Sequence, residues 1–341
     1  MKMIKKIFIV TFSVILIGMP LSAHAKGELK NYKIKRLVTQ LYDKKSLMDA
    51  RRQLSTYGTE VTAYVLPVLR DRNNESARIA ALYIISSVGD PSAEDEVVKM
   101  LADRDHRVRQ EAARTLCVIG KKDSTVTALK KVLNDYYPNV RYNVVRTLAG
   151  LARKDETGLF ISVLGDYDPR VRMFAVKALG DFRAAEAVPY LSQMVRDFDP
   201  NVRLELITSL ANIGTKDCLQ PLVWLTGDPD VNIRVLAIEK IGRMKVDGAE
   251  EVLVQAADSF DPRVVSQAIS VLGETKSSRA LEIAKDHLED EHQSVRLASI
   301  EVIGKMGGSD EKVILESLLQ AESTLIRKKA KEALAEAGTG I

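Results

Sequence analysis

The sequence predicts an all-α protein, an α-solenoid of about ten 31-residue helical hairpins. Three observations support this prediction. A short motif recurs at a nearly constant interval, apolar residues follow each copy at helical spacing, and aromatic residues make up only 5% of the chain. Sandwiches and barrels need more aromatic strands and more turns than this composition offers. With 46% hydrophobic and 28% charged residues over 341 positions, the chain is expected to fold.

The first 25 residues have the pattern of a cleaved secretory signal peptide. Three lysines precede an apolar run from Ile7 to Met19, and Ala23-His24-Ala25 is a small-residue cleavage site. The run is shorter than the roughly 20 residues that a membrane-spanning helix needs. We therefore expect an exported, periplasmic mature chain without an integral membrane segment, with full secretion as the alternative location.

Removal of this segment changes the charge balance of the chain. It carries three lysines and no acidic residue, so 50 basic residues become 47 against 46 acidic residues. Nucleic-acid-binding proteins usually show a basic face, and this nearly neutral charge balance predicts none.

The chain has two cysteines, Cys117 and Cys218, about three repeats apart. We expect two unpaired thiols, and we expect Cys117 to be a packing residue of a helix.

The repeated motif is Asp-Pro-x-Val-Arg, best preserved at 168–172 and 199–203. Its fifth position, here called the anchor, recurs at intervals of 31 residues, with one interval of 32. The anchors are residues 78, 109, 141, 172, 203, 234, 265, 296 and 327. A degenerate copy with its anchor at Leu47 brings the number to ten, from about residue 30 to 338. Residues 26–341 are therefore predicted to form a single domain.

Each motif predicts the start of a helix, because Asp suits the N-cap and Pro suits the first helical position. The residues three positions after the anchors are Ala50, Ala81, Ala112, Val144, Ala175, Leu206, Ala237, Ala268, Ser299 and Ala330. The residues seven positions after the anchors are Leu54, Ile85, Leu116, Leu148, Leu179, Leu210, Ile241, Leu272, Ile303 and Leu334. These two columns predict a buried stripe on each helix.

A second amphipathic segment precedes each of these helices, for example at 94–101 and 187–195. Each copy is therefore a helical hairpin whose apolar face is buried only by stacking on its neighbours. The first and last copies carry Arg51 and Lys331 where the interior copies carry apolar residues. This difference is typical of the polar outer faces of terminal repeats.

The motif, followed by Ala and Leu-Gly, resembles the HEAT-repeat superfamily over about residues 30–338. It is most similar to the short bacterial type called PBS-lyase HEAT-like repeats. The resemblance implies that the second helix of each hairpin lines a concave surface. It also implies a protein-binding scaffold more often than an enzyme.

The resemblance further implies a structural ladder between the repeated arginines and aspartates in adjacent turns. The arginines are Arg109, Arg141, Arg172, Arg203 and Arg234, and the expected partners are Asp105, Asp168, Asp199 and Asp230. The alternative is that the arginines form a track for anions.

The candidate partner-binding residues lie on the exposed side of the second helices, at positions two and five after the anchors. They are Tyr83, Arg114, Arg146, Phe174, Lys177, Glu205, Leu236, Glu239 and Glu301, here called the ridge. The fifth-position column is basic in the N-terminal half and acidic in the C-terminal half, which either steers an asymmetric partner or is ordinary solvated polarity. Phe174 and Leu236 are either exposed binding anchors or packing residues.

Two further groups of residues are expected to have structural roles. Tyr136, Tyr167, Phe198 and Phe260 directly precede the motifs, where an aromatic residue commonly forms a hydrophobic staple, with a ligand-binding edge as the alternative. Tyr142, Met173 and Leu204 are expected to belong to the core between repeats.

Catalysis has little support in the sequence. His106, His287 and His292 have no Glu or Cys at metal-ligand spacing, and no glycine-rich phosphate loop or nucleophile elbow is present. We therefore expect an exported, non-catalytic scaffold that binds a protein or peptide on its concave face, without a cofactor or metal. The alternatives are a lyase-like enzyme subunit or cofactor-delivery factor, and a purely structural spacer.

Overall fold

The computed structural model describes residues 23–151 and 156–338. The predicted signal peptide, residues 1–25, lies outside them except for its last three residues, which begin the first described helix. The described residues contain helices and turns and no strand, so the all-α prediction is confirmed. The chain divides into two compact units between Leu151 and Ala152, here called unit 1 and unit 2.

Unit 1 contains four helical hairpins, in which the odd-numbered helix comes first and the even-numbered helix second. Its helices are α1 Ala23–Gln40, α2 Leu47–Leu54, α3 Thr62–Leu69, α4 Glu75–Val88, α5 Glu94–Lys99, α6 His106–Ile119, α7 Asp123–Lys131 and α8 Pro138–Leu151. Short 3-10 turns occupy Ser55–Val61, Pro91–Ala93 and Met100–Ala102.

Unit 2 contains six more hairpins with the same alternation. Its helices are α9 Thr157–Ser162, α10 Pro169–Asp181, α11 Val188–Leu191, α12 Pro200–Ile213, α13 Leu219–Leu225, α14 Val231–Arg243, α15 Ala249–Ala257, α16 Pro262–Glu274, α17 Ala280–Asp286, α18 Gln293–Met306, α19 Ser309–Ser317 and α20 Thr324–Gly338. Its 3-10 turns are Ala185–Ala187, Ser192–Arg196, Lys216–Cys218 and Leu318–Gln320. The described residues thus contain the ten hairpins that the repeat predicts.

The second helices begin as the motif predicts. In α12, Asp199 is the N-cap, and its carboxylate accepts a hydrogen bond of 2.8 Å from the backbone N–H of Asn201. Pro200 occupies the first turn, where a missing N–H costs nothing. Helices α6, α10, α14 and α16 have the same aspartate cap.

The predicted stripe forms the core. All members of both columns are buried except Leu334, near the end of the last described helix, which is half-buried. At the two ends, Arg51 is half-buried and Lys331 is exposed, in agreement with the expected polar caps. Successive second helices pack against one another within each unit, so each hairpin completes the core of the next.

Small residues let the second helices of unit 2 approach closely. A Cβ on Gly180 would lie 2.6 Å from the backbone of Ser209, and one on Gly273 would lie 2.6 Å from Val302. Either contact is too short for a real carbon pair, so both positions require glycine. Each of these glycines stands eight positions after its anchor.

Cys117 stands in the same column of unit 1, but it is exposed, so its expected packing role is wrong. Helices α6 and α8 contact each other at a different position. There the Thr147 hydroxyl donates a buried hydrogen bond of 2.8 Å to the Ala113 carbonyl. That contact lies one helical turn before Cys117. The prediction of two unpaired thiols is confirmed.

The anchor arginines form the expected ladder, but with different aspartates. Arg172 Nε and Nη2 lie 2.7 and 2.6 Å from the two carboxylate oxygens of Asp197, and the side chains are 13% and 5% exposed. The same guanidinium donates to the Asp166 carbonyl of its own loop at 2.7 Å. The pairs are Arg78–Asp103, Arg109–Asp135, Arg172–Asp197, Arg203–Asp228 and Arg234–Asp261.

The expected partners Asp105, Asp199 and Asp230 were therefore wrong, and the expected pairing of Asp168 stays a prediction. These carboxylates accept hydrogen bonds from the first backbone amides of their own helices. The aspartate two residues earlier faces the preceding repeat instead. Because these guanidinium groups are already paired with carboxylates, the structure favours the ladder over an anion track.

We predict that Arg172→Ala lowers the free energy of unfolding by about 3 kcal/mol, because it leaves the Asp197 carboxylate buried without its cation. Chemical denaturation measures this loss. Arg52→Ala is the control, since Arg52 makes an exposed ion pair with Asp49 and its loss should cost less than about 1 kcal/mol. Equal stability of the two variants would contradict a structural role for the ladder.

Candidate partner-binding surfaces

Two ridge residues of unit 1, Tyr83 and Arg114, are engaged with neighbouring side chains. The Tyr83 ring lies between two guanidinium groups, with Arg51 at 3.9 Å and Arg114 at 5.5 Å from its centre. Arg114 Nε also donates to both oxygens of Glu111 at 3.0 Å. Tyr83 and Arg114 are half-buried. Arg146 is exposed and makes no ion pair within the described part of the chain.

The two apolar ridge residues of unit 2 do not stand free in water. Phe174 and Leu236 are both half-buried. Tyr142, Met173 and Leu204, which directly follow their anchors, are also half-buried. The prediction that they belong to the core between repeats is therefore only partly correct. The apolar part of the ridge therefore contributes to packing along the second helices.

The charged ridge residues of unit 2 are largely neutralised by their neighbours. Lys177 Nζ lies 3.0 Å from Asp181, and Glu239 lies 3.2 Å from both Lys240 and Arg243. Such local pairs reduce the field of the predicted charge gradient.

Glu301 and Glu205 differ in their surroundings. Glu301 lies 2.6 Å from both Lys305 and Lys329, and hydrogen bonds from these lysines lower the pKa of its carboxyl. Burial raises the pKa of the Glu205 carboxyl, while Lys177 opposes this shift. Of these two ridge carboxylates, Glu205 is therefore the one less stabilised in its charged form.

The aromatic residues before the motifs are the most exposed large apolar side chains among the described residues. Tyr136 is 87% exposed, and Tyr167, Phe198 and Phe260 are at least 97% exposed. The predicted hydrophobic staple is therefore wrong. A staple needs an apolar partner at the fourth helical position. In α10 and α12 that position is the anchor, Arg172 or Arg203, which is committed to the ladder.

In unit 2, the loops that carry these aromatic residues enclose two adjoining open clefts. We call the loops 164–169, 192–199 and 224–229 the loop edge. The first cleft, of about 670 Å³, lies between Tyr167 and Phe198, above Arg172 and Asp197. The second, of about 580 Å³, is lined by Trp224 and Pro229 among others. Gln193 and Arg196 line both clefts.

Trp224 adds to this surface, and sequence reasoning missed it. It is the one tryptophan of the chain and is 54% exposed, near the end of the short helix α13. The available signal was a large aromatic residue on a first helix, next to a loop of the repeat. Trp224 lies on a first helix, whereas the candidate residues predicted from the sequence lie on second helices or directly before the motifs.

The corresponding cleft of unit 1 has a different lining. It has a volume of about 510 Å³ and contains Arg70, Arg72, Lys99 and Arg104 around Glu96. Arg70 and Lys99 share the Glu96 carboxylate at 3.2 and 2.8 Å. Since the repeat places the two clefts equivalently, the chain presents a basic lining in unit 1 and an aromatic one in unit 2.

The described residues offer no obvious metal centre or membrane span. No group of three or more His, Cys, Asp or Glu side chains within 23–151 and 156–338 is placed to hold a metal ion. Among the described helices, none combines the length and apolar character needed to cross a lipid bilayer.

Comparison with known proteins identifies the family. The model of HEAT repeats matches residues 62–135, 126–197, 191–258 and 250–335. The chain therefore belongs to the HEAT-repeat family. No curated protein matches it.

Solved structures of other proteins resemble this chain at low sequence identity. A Kap121p mutant matches with a TM-score of 0.65 and 14% identity, over 90% of this chain and 41% of that chain. The complex of CpcE and CpcF of phycocyanin lyase from Nostoc sp. matches with a TM-score of 0.40 and 18% identity, over 72% of this chain and 94% of that chain. The likeness to Kap121p shows the fold alone.

We predict that Phe174→Ala combined with Leu236→Ala lowers the free energy of unfolding by about 2–3 kcal/mol, because both side chains are half-buried. Thermal and chemical unfolding measure the loss. The matched control is Tyr167→Ala combined with Phe198→Ala, which removes two exposed rings and should change stability by less than about 0.5 kcal/mol per site. Equal stability of the two double variants would identify Phe174 and Leu236 as exposed anchors.

Proposed function

We propose that the chain is an exported, non-catalytic scaffold that binds a protein or peptide partner. The observation that supports this proposal best is the loop edge, where Tyr167, Phe198 and Trp224 stand exposed around open clefts. Exposed aromatic side chains of this kind are the residues that most often dominate binding energy at interfaces. Their exposure contributes nothing to folding, so a role in binding accounts for them.

The ridge is the second candidate surface. Its side chains repeat along the second helices as a binding groove requires, and Arg146 and Lys177 are exposed. Its charges, however, are mostly paired with neighbours, and its two apolar residues are half-buried. An interface on the ridge would have to break these pairs, whereas the loop edge is open for contact.

Site-specific photo-crosslinking in the native host tests the proposal and separates the two surfaces. The photoreactive residue replaces Phe198 on the loop edge, Phe174 on the ridge, or Glu251 on the exposed side of the first helix α15 as control. We expect a discrete product from Phe198 and none from Glu251. Mass spectrometry of the product identifies the partner.

Each other outcome also decides between the surfaces. A discrete product from Phe174 alone would retain the scaffold and move the interface to the ridge. No product from either position would contradict the scaffold and favour a spacer.

Export to the periplasm is the second part of the proposal, and it rests on the basic, apolar and Ala23-His24-Ala25 segments of the N-terminus. We expect the protein isolated from its native host to begin at Lys26 and to fractionate with the periplasm. Intact-mass spectrometry of that fraction measures the N-terminus. A chain that retains residues 1–25 and stays in the cytoplasm would contradict export.

A further inference from the structure

The two clefts of the loop edge repeat with the period of the hairpins. Successive clefts share the wall formed by Gln193 and Arg196, so a ligand that leaves one cleft enters the next. Neighbouring helices pack about 8–10 Å apart. A ligand that follows this edge meets equivalent walls about every 9 Å.

One regular peptide conformation has this period. A polyproline II helix has three residues per turn and rises about 3.1 Å per residue, which places equivalent side chains about 9 Å apart. An α-helix repeats every 5.4 Å or so, and a β-strand presents the same face about every 6.6 Å. Neither would keep the same register in successive clefts.

The lining of the clefts fits the chemistry of such a peptide. Tyr167, Phe198, Trp224 and Pro229 supply flat apolar walls, as in the aromatic grooves that bind proline-rich segments. A polyproline II helix has no internal hydrogen bonds, so its carbonyl groups need donors. The indole of Trp224 and the guanidinium of Arg196 can supply them.

Arg196 is the polar residue best placed for this task. It is exposed, lines both clefts and makes no ion pair within the described part of the chain. The other two arginines nearby, Arg172 and Arg203, are held in the ladder by Asp197 and Asp228. Arg196 is therefore available for a ligand.

The charge of the loop edge disfavours other occupants. Asp197 and Asp228 balance the ladder arginines, and Asp168 balances Arg170. Nucleic acids and anionic lipid surfaces need an excess of basic residues. The equivalent cleft of unit 1 has that excess, with Arg104 at the place that Phe198 occupies in unit 2.

We propose that the loop edge of unit 2 binds an extended, proline-rich peptide segment of a partner protein in polyproline II conformation, with one turn per cleft. The inference rests on the proposed protein-binding function and adds the chemical class of the partner segment to it. Tyr167, Phe198 and Trp224 contact the proline rings, and Arg196 donates to the peptide carbonyls.

Fluorescence anisotropy with labelled peptides of about twelve residues tests this assignment on the mature chain. We expect oligoproline to bind at least about tenfold more tightly than a Gly–Ser peptide of equal length. A peptide with proline at every third position should bind more tightly than one with proline at every fourth position, because only the first keeps its register.

The protein variants locate the binding site. Phe198→Ala should weaken binding of oligoproline about tenfold without a change in melting temperature, since this ring is fully exposed. Glu251→Ala, at an exposed position on the first helix α15, should leave binding unchanged. Equal affinity of Phe198→Ala and wild type, or equal binding of the oligoproline and Gly–Ser peptides, would overturn the inference.

The test also separates this inference from the function on which it rests. If oligoproline fails to bind while crosslinking at Phe198 still traps a partner, the peptide class is wrong and the scaffold stands. If neither experiment gives a signal, both are wrong. Binding to phosphatidylglycerol vesicles that depends on Phe198, without peptide binding, would replace the peptide by a membrane surface.

Discussion

The fold depends on anchor arginines that each join two repeats, as five of them do among the described residues. Arg172 donates to the Asp166 carbonyl in the loop that starts its own helix and to the Asp197 carboxylate in the loop of the next repeat. Both contacts are shielded from water. In such surroundings ion pairs and their hydrogen bonds are strong, and the loss of one partner is costly. Each repeat therefore sets the loop of its neighbour, and the stacked helices keep their register.

This arrangement also determines which positions are free for binding. The anchor takes the helical position that would otherwise hold an apolar partner for the preceding aromatic residue. Tyr167 and Phe198 remain in solvent, at the rim of a cleft that the ladder residues Arg172 and Asp197 also line. The ridge has the opposite character, because Phe174 and Leu236 pack and Glu301 is held by two lysines. The loops therefore have the chemistry of an interface more than the second helices do.

The sequence predicts the fold well because the same motif and the same apolar spacing recur along the chain, so each structural prediction has support from several repeats. The buried columns and the aspartate caps follow from one motif and helical periodicity, whereas the ladder was implied by the resemblance to HEAT repeats. The partner aspartates were misassigned because Asp199 and Asp197 are two residues apart, and only geometry shows that the first caps while the second pairs. The exposure of Phe198 and Trp224 could not be read from the pattern, because it depends on what the neighbouring loops leave uncovered.

The intrinsic fluorescence of Trp224 tests most directly the claim that the loop edge is the binding surface. This residue is the one tryptophan of the chain and lines the second cleft, so its emission reports only on that site. On titration with oligoproline, we expect the emission maximum to move to shorter wavelength and quenching by acrylamide to fall, both with saturation. Unchanged emission and quenching at peptide concentrations that saturate binding would place the ligand elsewhere and contradict the account.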